Sequence, residues 1–342
     1  MTHVLVARLD SDGDVLLAGP AVRAVAAAAS RVTMLVGPRG RRAAELLPGV
    51  DAIVEHRAPW IDPEPPPVDR AATLALVERV ASIAPDAALV LSSFHQSPLP
   101  TALLLRLAGV PWIGATCDDY PGSLLDLRHR IDDDVHEVER SLDLAAAAGF
   151  PLPAGDDGRL AVRRDPSARP PALPRDYLVV HPGASVPARA WAPERHAELV
   201  DALAAEGWEV VVTGGPRERA LTARVCGPPR PGVSDLGGRT SLAALAEVLA
   251  GARAAVVGNT GPAHLAAAVG CPVAWLHAPT VPEVRWRPWG VAYRRLGLPV
   301  PCAGCRARVC PVEGHPCLDP LPLGDVLDAV TALAGDAVAE AA

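Results

Sequence analysis

The chain has 342 residues, of which 50% are hydrophobic and 21% are charged, and its formal net charge is -7. This length is enough for two globular domains, and the composition excludes an intrinsically disordered chain. Because proteins that bind duplex nucleic acid carry a basic surface, we expect no nucleic-acid partner. The sequence shows neither a secretory signal nor a run of about 18 apolar residues for a bilayer span, which predicts a cytoplasmic protein.

In the N-terminal half, short apolar runs alternate with helical patterns. Strands are predicted at Val4–Ala7, Val32–Val36, Ile53–Glu55 and Leu89–Leu91, and helices at Val15–Ala29, Leu99–Leu107 and Val135–Ala148. This alternation favours a parallel sheet covered by helices on both faces.

Residues 151–175 interrupt the alternation with six prolines and mixed charges, which is typical of an interdomain linker. The alternation then resumes, with strands predicted at Tyr177–His181, Glu209–Thr213, Ala254–Val257 and Val273–Leu276, and helices at Pro193–Ala205, Ser241–Ala250, Pro262–Val269 and Leu323–Ala334. We therefore predict two α/β domains, 1–150 and 176–342, joined by the linker.

Loops between strands and helices are the candidate sites, because ligands of open parallel sheets bind beyond the carboxyl ends of the strands. The first such loop, 8–14, carries three aspartates, and Asp14 falls in the first turn of the next helix. A carboxylate there could accept a proton from a substrate hydroxyl, or could serve only as a helix cap.

Three further loops lie in the C-terminal half, at 181–191, 213–218 and 258–264. Their small residues would let backbone N–H groups approach a phosphate, and Arg189 would add a positive charge. Glu218 could bind ribose hydroxyls or merely cap a helix. The third loop contains Asn259, the single asparagine of the chain. No P-loop or complete dinucleotide fingerprint occurs, which disfavours nucleoside triphosphatases and dehydrogenases.

Four cysteines lie close together near the C-terminus in a C-x2-C-x4-C-x6-C pattern: Cys302, Cys305, Cys310 and Cys317. This density suggests a structural metal site, most simply Zn²⁺. Disulfides and free thiols remain as alternatives.

Taken together, the loops resemble those of glycosyltransferase family 9, the ADP-heptose:lipopolysaccharide heptosyltransferase family. Residues 8–23 resemble the family's R-x-D-x-x-G-D-V-L-L-x-x-P-A-x-R opening, and 181–191 its H-P-G-A-S…K-x-W segment. Residues 213–218 resemble G-G-P-x-E, 258–264 resemble D-S-G-P-x-H, and 278–280 resemble G-P-T. The cysteine-rich segment also resembles one found in many family members.

The resemblance implies the GT-B fold, in which two Rossmann-like parallel-sheet domains face each other across a cleft. The N-terminal domain would bind the acceptor and the C-terminal domain the nucleotide-sugar. Transfer would invert the anomeric carbon without a catalytic metal, with Asp14 as general base, Arg189 on the diphosphate and Glu218 on the ribose. The nucleotide-sugar contacts implied by the matching loops are Gly183, Ser185, Arg189, Gly215, Glu218, Asn259, Thr260, Gly261 and His264.

Two residues depart from the family pattern. Arg189 replaces a lysine, which keeps the charge and adds a planar fork suited to phosphate. Asn259 replaces an aspartate, which removes a negative charge near the donor and leaves Asp14 as the better candidate base.

The expected partners are a nucleotide-diphosphate sugar, foremost ADP-heptose, and a glycan or small-molecule acceptor. The acceptor would be a lipopolysaccharide core, another cell-surface glycan or a secondary metabolite. A sugar-nucleotide epimerase or hydrolase and a non-catalytic nucleotide-sugar-binding protein remain alternatives. A peripheral membrane contact through Arg39, Arg41 and Arg42 is a further alternative.

Overall fold

The structure, a computed structural model, describes residues 2–170 and 173–341, without the side chains of 336–341. It divides into two compact units, one ending at Arg163 and the other beginning at Arg164. This boundary falls within the proline-rich segment. Residues before it belong to the first unit, where Arg163 N donates to Leu46 O at 2.7 Å and Arg23 pairs with Asp156 at 2.7 Å.

The first unit is a six-stranded parallel sheet with the strand order β3-β2-β1-β4-β5-β6. The strands are β1 (His3–Arg8), β2 (Arg31–Val36), β3 (Ala52–Glu55), β4 (Ala87–Val90), β5 (Ile113–Thr116) and β6 (Leu127–His129). The helices are α1 (Asp12–Leu17), α2 (Gly19–Ala28), α3 (Arg41–Leu46), α4 (Arg70–Ile83), α5 (Leu99–Leu107) and α6 (Glu137–Ala147). Val4–Ala7 of β1 are fully buried, as expected for a central strand covered on both faces.

The second unit is also a six-stranded parallel sheet, with the order β12-β11-β10-β7-β8-β9. Its strands are β7 (Tyr177–His181), β8 (Glu209–Val212), β9 (Val233–Asp235), β10 (Ala254–Gly258), β11 (Val273–Leu276) and β12 (Tyr293–Leu296). Its helices are α7 (Pro193–Ala205), α8 (Arg219–Cys226), α9 (Leu242–Ala250), α10 (Gly261–Ala268), α11 (Glu283–Trp286) and α12 (Leu323–Ala341).

Both sheets have the strand order of a Rossmann fold, 3-2-1-4-5-6 within each unit. The order reverses between the first and fourth strands, which are β1 and β4 in one unit and β7 and β10 in the other. Loops leaving neighbouring strands at this point diverge to opposite faces and open a crevice for ligands. The candidate loops at 8–14, 181–191 and 258–264 all start there.

Two local predictions were wrong. The helix predicted over 15–29 is divided at Ala18 into α1 and α2, because Pro20 lacks an N–H and its ring blocks a continuous first helix. The polar segment 128–136 is predicted from the sequence to be a loop that lines an acceptor site or lies on the surface, but it begins within β6, which lies beside β5 at the edge of the described sheet. In the described part of the chain, no helix is both long and apolar enough to cross a membrane.

Candidate functional site

Arg8 is the last residue of β1 and follows a run of buried apolar residues. Its side chain is only 1% exposed. Both terminal nitrogens donate to Glu137 Oε2 at 3.2 Å, and Nη2 also donates to Ser93 Oγ at 2.8 Å and Asp14 Oδ1 at 3.3 Å. Asp10 Oδ2 lies 3.0 Å from Nε. A buried cation requires such compensation, so this arrangement accounts for an arginine in the core.

Asp14 lies in the first turn of α1, as the sequence predicts. Its Oδ2 accepts hydrogen bonds from Ser11 Oγ at 2.7 Å and Ser11 N at 3.3 Å, forming a capping box. The Asp14 side chain is 22% exposed, against 8% for Asp10 and 2% for Glu137. Asp14 is therefore the carboxylate of the cluster that is accessible to a solute.

The two buried carboxylates of this cluster are electrostatically costly. Burial raises the pKa of Asp10 to about 6, although Arg8 and a 2.8 Å hydrogen bond from Gln96 Nε2 act in the opposite direction. Burial also raises the pKa of Glu137, and Arg8 again opposes the shift. Arg8 thus stabilises negative charge that the interior would otherwise neutralise by protonation.

In the second unit, a polar cluster forms where β7 and β8 end. His181 Nδ1 lies 3.0 Å from Thr213 Oγ1, and His181 Nε2 lies 3.9 Å from Glu218 Oε2. Burial lowers the pKa of His181, while Glu218 opposes this shift. Glu218 Oε2 accepts a 2.6 Å hydrogen bond from Gly215 N. A methyl group on Gly183 would overlap the Glu218 carboxylate, so glycine is needed there for close approach.

Glu218 lies in the first helical turn after β8. This turn is a short 3-10 helix, Pro216–Glu218, and Glu218 is also the N-cap residue of α8, where its side chain makes no capping hydrogen bond. The tight turn aims its carboxylate back at the loop, where it meets Gly183 and Gly215 N. The carboxylate therefore borders the β7 and β8 loops, as its predicted ribose contact requires.

Arg189 ends another 3-10 turn, Pro187–Arg189, in the loop after β7. Its Nε donates to Thr280 Oγ1 at 3.2 Å, and Thr280 is buried in the loop after β11. A Cβ on Gly258 would lie 3.3 Å from Arg189 O, so the β7 and β10 loops are closely packed. Ser185, predicted to bind the donor, is exposed in the β7 loop.

The loop after β10 leads into the N-terminus of α10. Thr260 is the N-cap, but its side chain makes no capping hydrogen bond. Asn259 is 5% exposed, and its amide Nδ2 has no hydrogen-bond partner among the described residues. His264 is buried in the first turn, next to the partly exposed Gly261. Pro262 has no N–H and Ala263 N donates to Thr260 O at 3.0 Å, so Gly261 N is the backbone donor that this helix start would offer to a phosphate.

The cysteine-rich segment packs directly on these loops. Cys302, Cys305, Cys310 and Cys317 line one cavity together with Thr280. Backbone hydrogen bonds join the segment to the loops: Gly304 N donates to Pro279 O at 2.7 Å, Arg306 N to Thr280 O at 2.9 Å, and Ala188 N to Arg308 O at 3.0 Å. These hydrogen bonds hold the cysteine-rich segment against the loops that carry Arg189 and Thr280. The sequence did not predict this placement.

All four cysteines of this segment are free thiols. Within the described ranges, no three His, Cys, Asp or Glu side chains are arranged to hold a metal ion. His315, which lines the same cavity, is engaged with Ala188 O at 3.1 Å and Asp319 at 3.4 Å. The metal site remains a prediction.

Of the three arginines considered for membrane contact, two are engaged with carboxylates. Arg41 pairs with Glu45 at 3.0 Å and Glu55 at 3.5 Å, and Arg42 pairs with Asp12 at 2.6 Å. Their charge is therefore partly neutralised within the first unit.

From the sequence alone, no individual role is assigned to Arg8, Ser93, His181, Thr213 and Thr280. Arg8 carried a signal, because an arginine directly after a buried apolar strand needs buried carboxylate partners. Gln96 is the single glutamine of the chain and binds Asp10. His181, Thr213 and Thr280 lie in segments that match the family motifs, whereas no local pattern indicates Ser93.

The family model of glycosyltransferase family 9 (heptosyltransferase) matches residues 74–315. The chain belongs to this family. Its sequence is 36% identical over 180 residues to lipopolysaccharide heptosyltransferase 1 of Pseudomonas aeruginosa, covering 51% of this chain and 48% of that protein. The chain thus spans about half the length of the curated relatives it matches.

Two solved structures share the fold along nearly the whole chain. A family 9 glycosyltransferase from Veillonella parvula superposes with a TM-score of 0.78 at 17% identity, covering 98% of this chain and 97% of that one. The ADP-heptose lipopolysaccharide heptosyltransferase II of Escherichia coli gives 0.73 at 20% identity, covering 98% and 99%. The predicted GT-B class, with two Rossmann-like parallel-sheet units, is confirmed.

Proposed function

We propose that this member of family 9 is an inverting glycosyltransferase that moves a sugar, foremost heptose from ADP-heptose, onto an acceptor hydroxyl without a catalytic metal. The observation that carries the proposal is the pair of clusters at equivalent places in the two sheets. One presents an accessible carboxylate, Asp14, and the other a phosphate-suited helix N-terminus beside Arg189. The names of the relatives, ADP-heptose lipopolysaccharide heptosyltransferases among them, support heptose as the sugar and a lipopolysaccharide core as the acceptor.

The donor would be held by the loops of the second unit. The diphosphate would bind Gly261 N at the start of α10 and the Arg189 guanidinium, while Glu218 would accept hydrogen bonds from the ribose. The unpartnered Asn259 amide supports a ligand in this position, because buried amide donors are normally satisfied. As the bond to the sugar breaks, these groups would offset the charge that develops on the departing diphosphate.

Asp14 would act on the acceptor. In this step the acceptor oxygen forms a bond to the anomeric carbon, its proton passes to the Asp14 carboxylate, and the bond from the anomeric carbon to the diphosphate oxygen breaks. Attack opposite the leaving group inverts the anomeric centre. General-base catalysis of this kind contributes about 10²–10⁴-fold to the rate.

The test is an assay of the full chain with ADP-heptose and a lipopolysaccharide-core acceptor, with and without EDTA. We expect transfer that resists EDTA and falls by about 10²–10⁴-fold in Asp14→Asn, with donor affinity retained. Asp12→Asn is the matched control: it makes the same change in the same helical turn, where the carboxylate binds Arg42 and Ala43 N. It should retain transfer.

The other functions would give different results. Release of sugar without acceptor would indicate a hydrolase, an epimerised donor an epimerase, and donor binding without turnover a binding protein. Normal transfer by Asp14→Asn would show that the base lies elsewhere. Loss of donor binding in Arg189→Gln, but not in Arg224→Gln on the surface of α8, would support the diphosphate contact.

We also propose that the four cysteines of the C-terminal segment bind a structural metal. Thiolates favour Zn²⁺, and all four cysteines line one cavity, although no three possible ligands among the described residues are arranged to hold an ion. Elemental analysis should find about one metal per purified chain and none in Cys302→Ser/Cys305→Ser. Full-length protein without metal, carrying four thiols that react with a thiol reagent, would contradict this.

A further inference from the structure

We propose that Arg8 is a positioning residue that keeps the Asp14 carboxylate ionised and oriented for proton abstraction. This inference rests on the proposed role of Asp14 as the base. It adds a second residue to the reaction, one that is buried and touches Asp14 rather than the substrate.

The orientation of Asp14 follows from its two oxygens. Oδ1 accepts from Arg8 Nη2 at 3.3 Å, while Oδ2 accepts from Ser11 Oγ at 2.7 Å and from Ser11 N at 3.3 Å. Partners on both oxygens restrict rotation of the carboxylate plane. Ser11 belongs to the same helix start, whereas Arg8 ties the carboxylate to the sheet.

The guanidinium is itself immobilised by residues distant in the chain. Glu137 Oε2 accepts from Nη1 and Nη2, and Ser93 Oγ accepts from Nη2. Ser93 N in turn donates to Gln96 Oε1 at 3.0 Å, which holds the β4 loop in place. Arg8 is thus a rigid support, and its fork geometry allows several acceptors to share one cation.

The charges around Asp14 explain why the cation is needed. Asp10 approaches from the β1 loop and Glu137 from α6, and each disfavours a third negative charge nearby. Arg140, one turn along α6, partly offsets Glu137. Arg8 is the cation in contact with all three carboxylates. Without it, Asp14 would face two like charges and would hold its proton at higher pH.

The experiment compares the pH dependence of kcat/KM in three variants of the full chain. The acid limb is the pH range in which kcat/KM falls as the solution becomes more acidic. Arg8→Gln should move this limb upward by about one to two pH units, because the cation nearest to Asp14 is lost. Glu137→Gln should move it downward, because a like charge is lost. Arg8→Lys keeps the charge without the fork, so its acid limb should stay near that of the parent while kcat falls. Purely structural damage would lower activity, but it would not move the acid limb in opposite directions in Arg8→Gln and Glu137→Gln.

The matched control is Arg23→Gln. Arg23 belongs to the same unit and pairs with Asp156 at 2.7 Å, so its loss removes an equal charge away from Asp14. Its acid limb should not move. If Arg8→Gln fails to fold, Arg8→Gln/Glu137→Gln removes the buried pair together, and the limb should then rise by less than in the single variant.

Unchanged acid limbs in folded Arg8 and Glu137 variants would overturn the inference. So would a limb that moves in the same direction in Arg8→Gln and Glu137→Gln. The proposed function fails separately: if Asp14→Asn transfers sugar normally, Asp14 is not the base. If Asp14→Asn is inactive but the limbs do not move, only the role of Arg8 is wrong.

Discussion

The two Rossmann-like units carry polar clusters at equivalent points of the same strand order, yet the clusters differ in how their charges are satisfied. In the first unit, Arg8 is paired with three carboxylates inside the protein. In the second unit, Arg189 donates to a neutral hydroxyl of Thr280, and the buried Asn259 amide lacks a described partner. The first cluster is complete in charge, because Arg8 contacts each of the three carboxylates, although Arg8 Nε makes no hydrogen bond among the described residues. This charge balance suits a residue that must stay ionised. The second retains hydrogen-bonding capacity, which suits a site that binds an anion.

The largest effect on stability should come from a substitution that breaks the Arg8 cluster of the first unit. Arg8→Leu would leave Asp10 and Glu137 buried without their cation, which costs about 3–5 kcal/mol of unfolding free energy. The exposed pair of Arg159 and Asp157 provides the control, because Arg159→Leu should cost less than about 1 kcal/mol. Chemical denaturation would measure both. Equal stabilities for the two variants would remove the distinction between the clusters.

The next largest effect concerns the polar cluster of the second unit. Gly183→Ala would push the Glu218 carboxylate away from Gly215 N, and overpacking of this kind costs about 1–3 kcal/mol. If Glu218 binds the ribose, donor affinity measured by calorimetry should fall by about tenfold or more. In Gly215→Ala the added carbon would lie 3.5 Å from Glu218, an ordinary contact, so this variant should bind like the parent. Similar affinities in both variants would argue against the ribose contact.

A smaller effect tests how Arg189 is held. Thr280→Val keeps the volume of this buried side chain but removes the hydroxyl that accepts from Arg189 Nε. Loss of one such hydrogen bond costs about 1 kcal/mol, so donor affinity should fall about fivefold. Thr222→Val on α8, where the hydroxyl donates to Arg219 O, is the control and should leave donor affinity unchanged. An equal loss in both variants would mean that Thr280 acts only through stability.

The smallest effect concerns a buried polar group that remains neutral. Burial lowers the pKa of His196 to about 4, below the 6.5 expected in the unfolded chain. Its contribution to stability is therefore complete above pH 6.5 and is lost as the pH falls towards 4. Between pH 8 and pH 6 the parent should lose less than about 1 kcal/mol of unfolding free energy through this group, whereas His196→Phe, which keeps a ring against Trp191, should not show that loss. Identical pH dependence, measured by denaturation, would refute this.

Local patterns predicted most of the central strands and the loops that follow them, but not the buried strand β5 (Ile113–Thr116). Val4–Ala7 and Tyr177–His181 are apolar runs too short for helices, and both are central strands. Asp14 falls in the first turn of α1 because Ser11 and Asp14 have the spacing of a capping box. The edge strands β6, β9 and β12 were missed, because their polar, partly exposed residues show no apolar run.

Tertiary contacts decided the rest. Glu137 lies 129 residues after Arg8 in the sequence. The two side chains meet because α6, which carries Glu137, packs on α2 and β5 of the first unit. The cysteine-rich segment, more than a hundred residues after Ala188, meets the Arg189 loop through backbone hydrogen bonds that any sequence could make. Neither contact leaves a periodic signal.

The sequence by itself therefore determined the family, the two parallel sheets and the loops on which the chemistry would depend, because short-range patterns of apolar residues, glycines and caps encode them. Only the tertiary structure decided which charges meet, that Asp14 is the accessible carboxylate, and that the cysteines face the loop of Arg189. The physical reason is that burial and pairing depend on where distant segments of the folded chain come to lie.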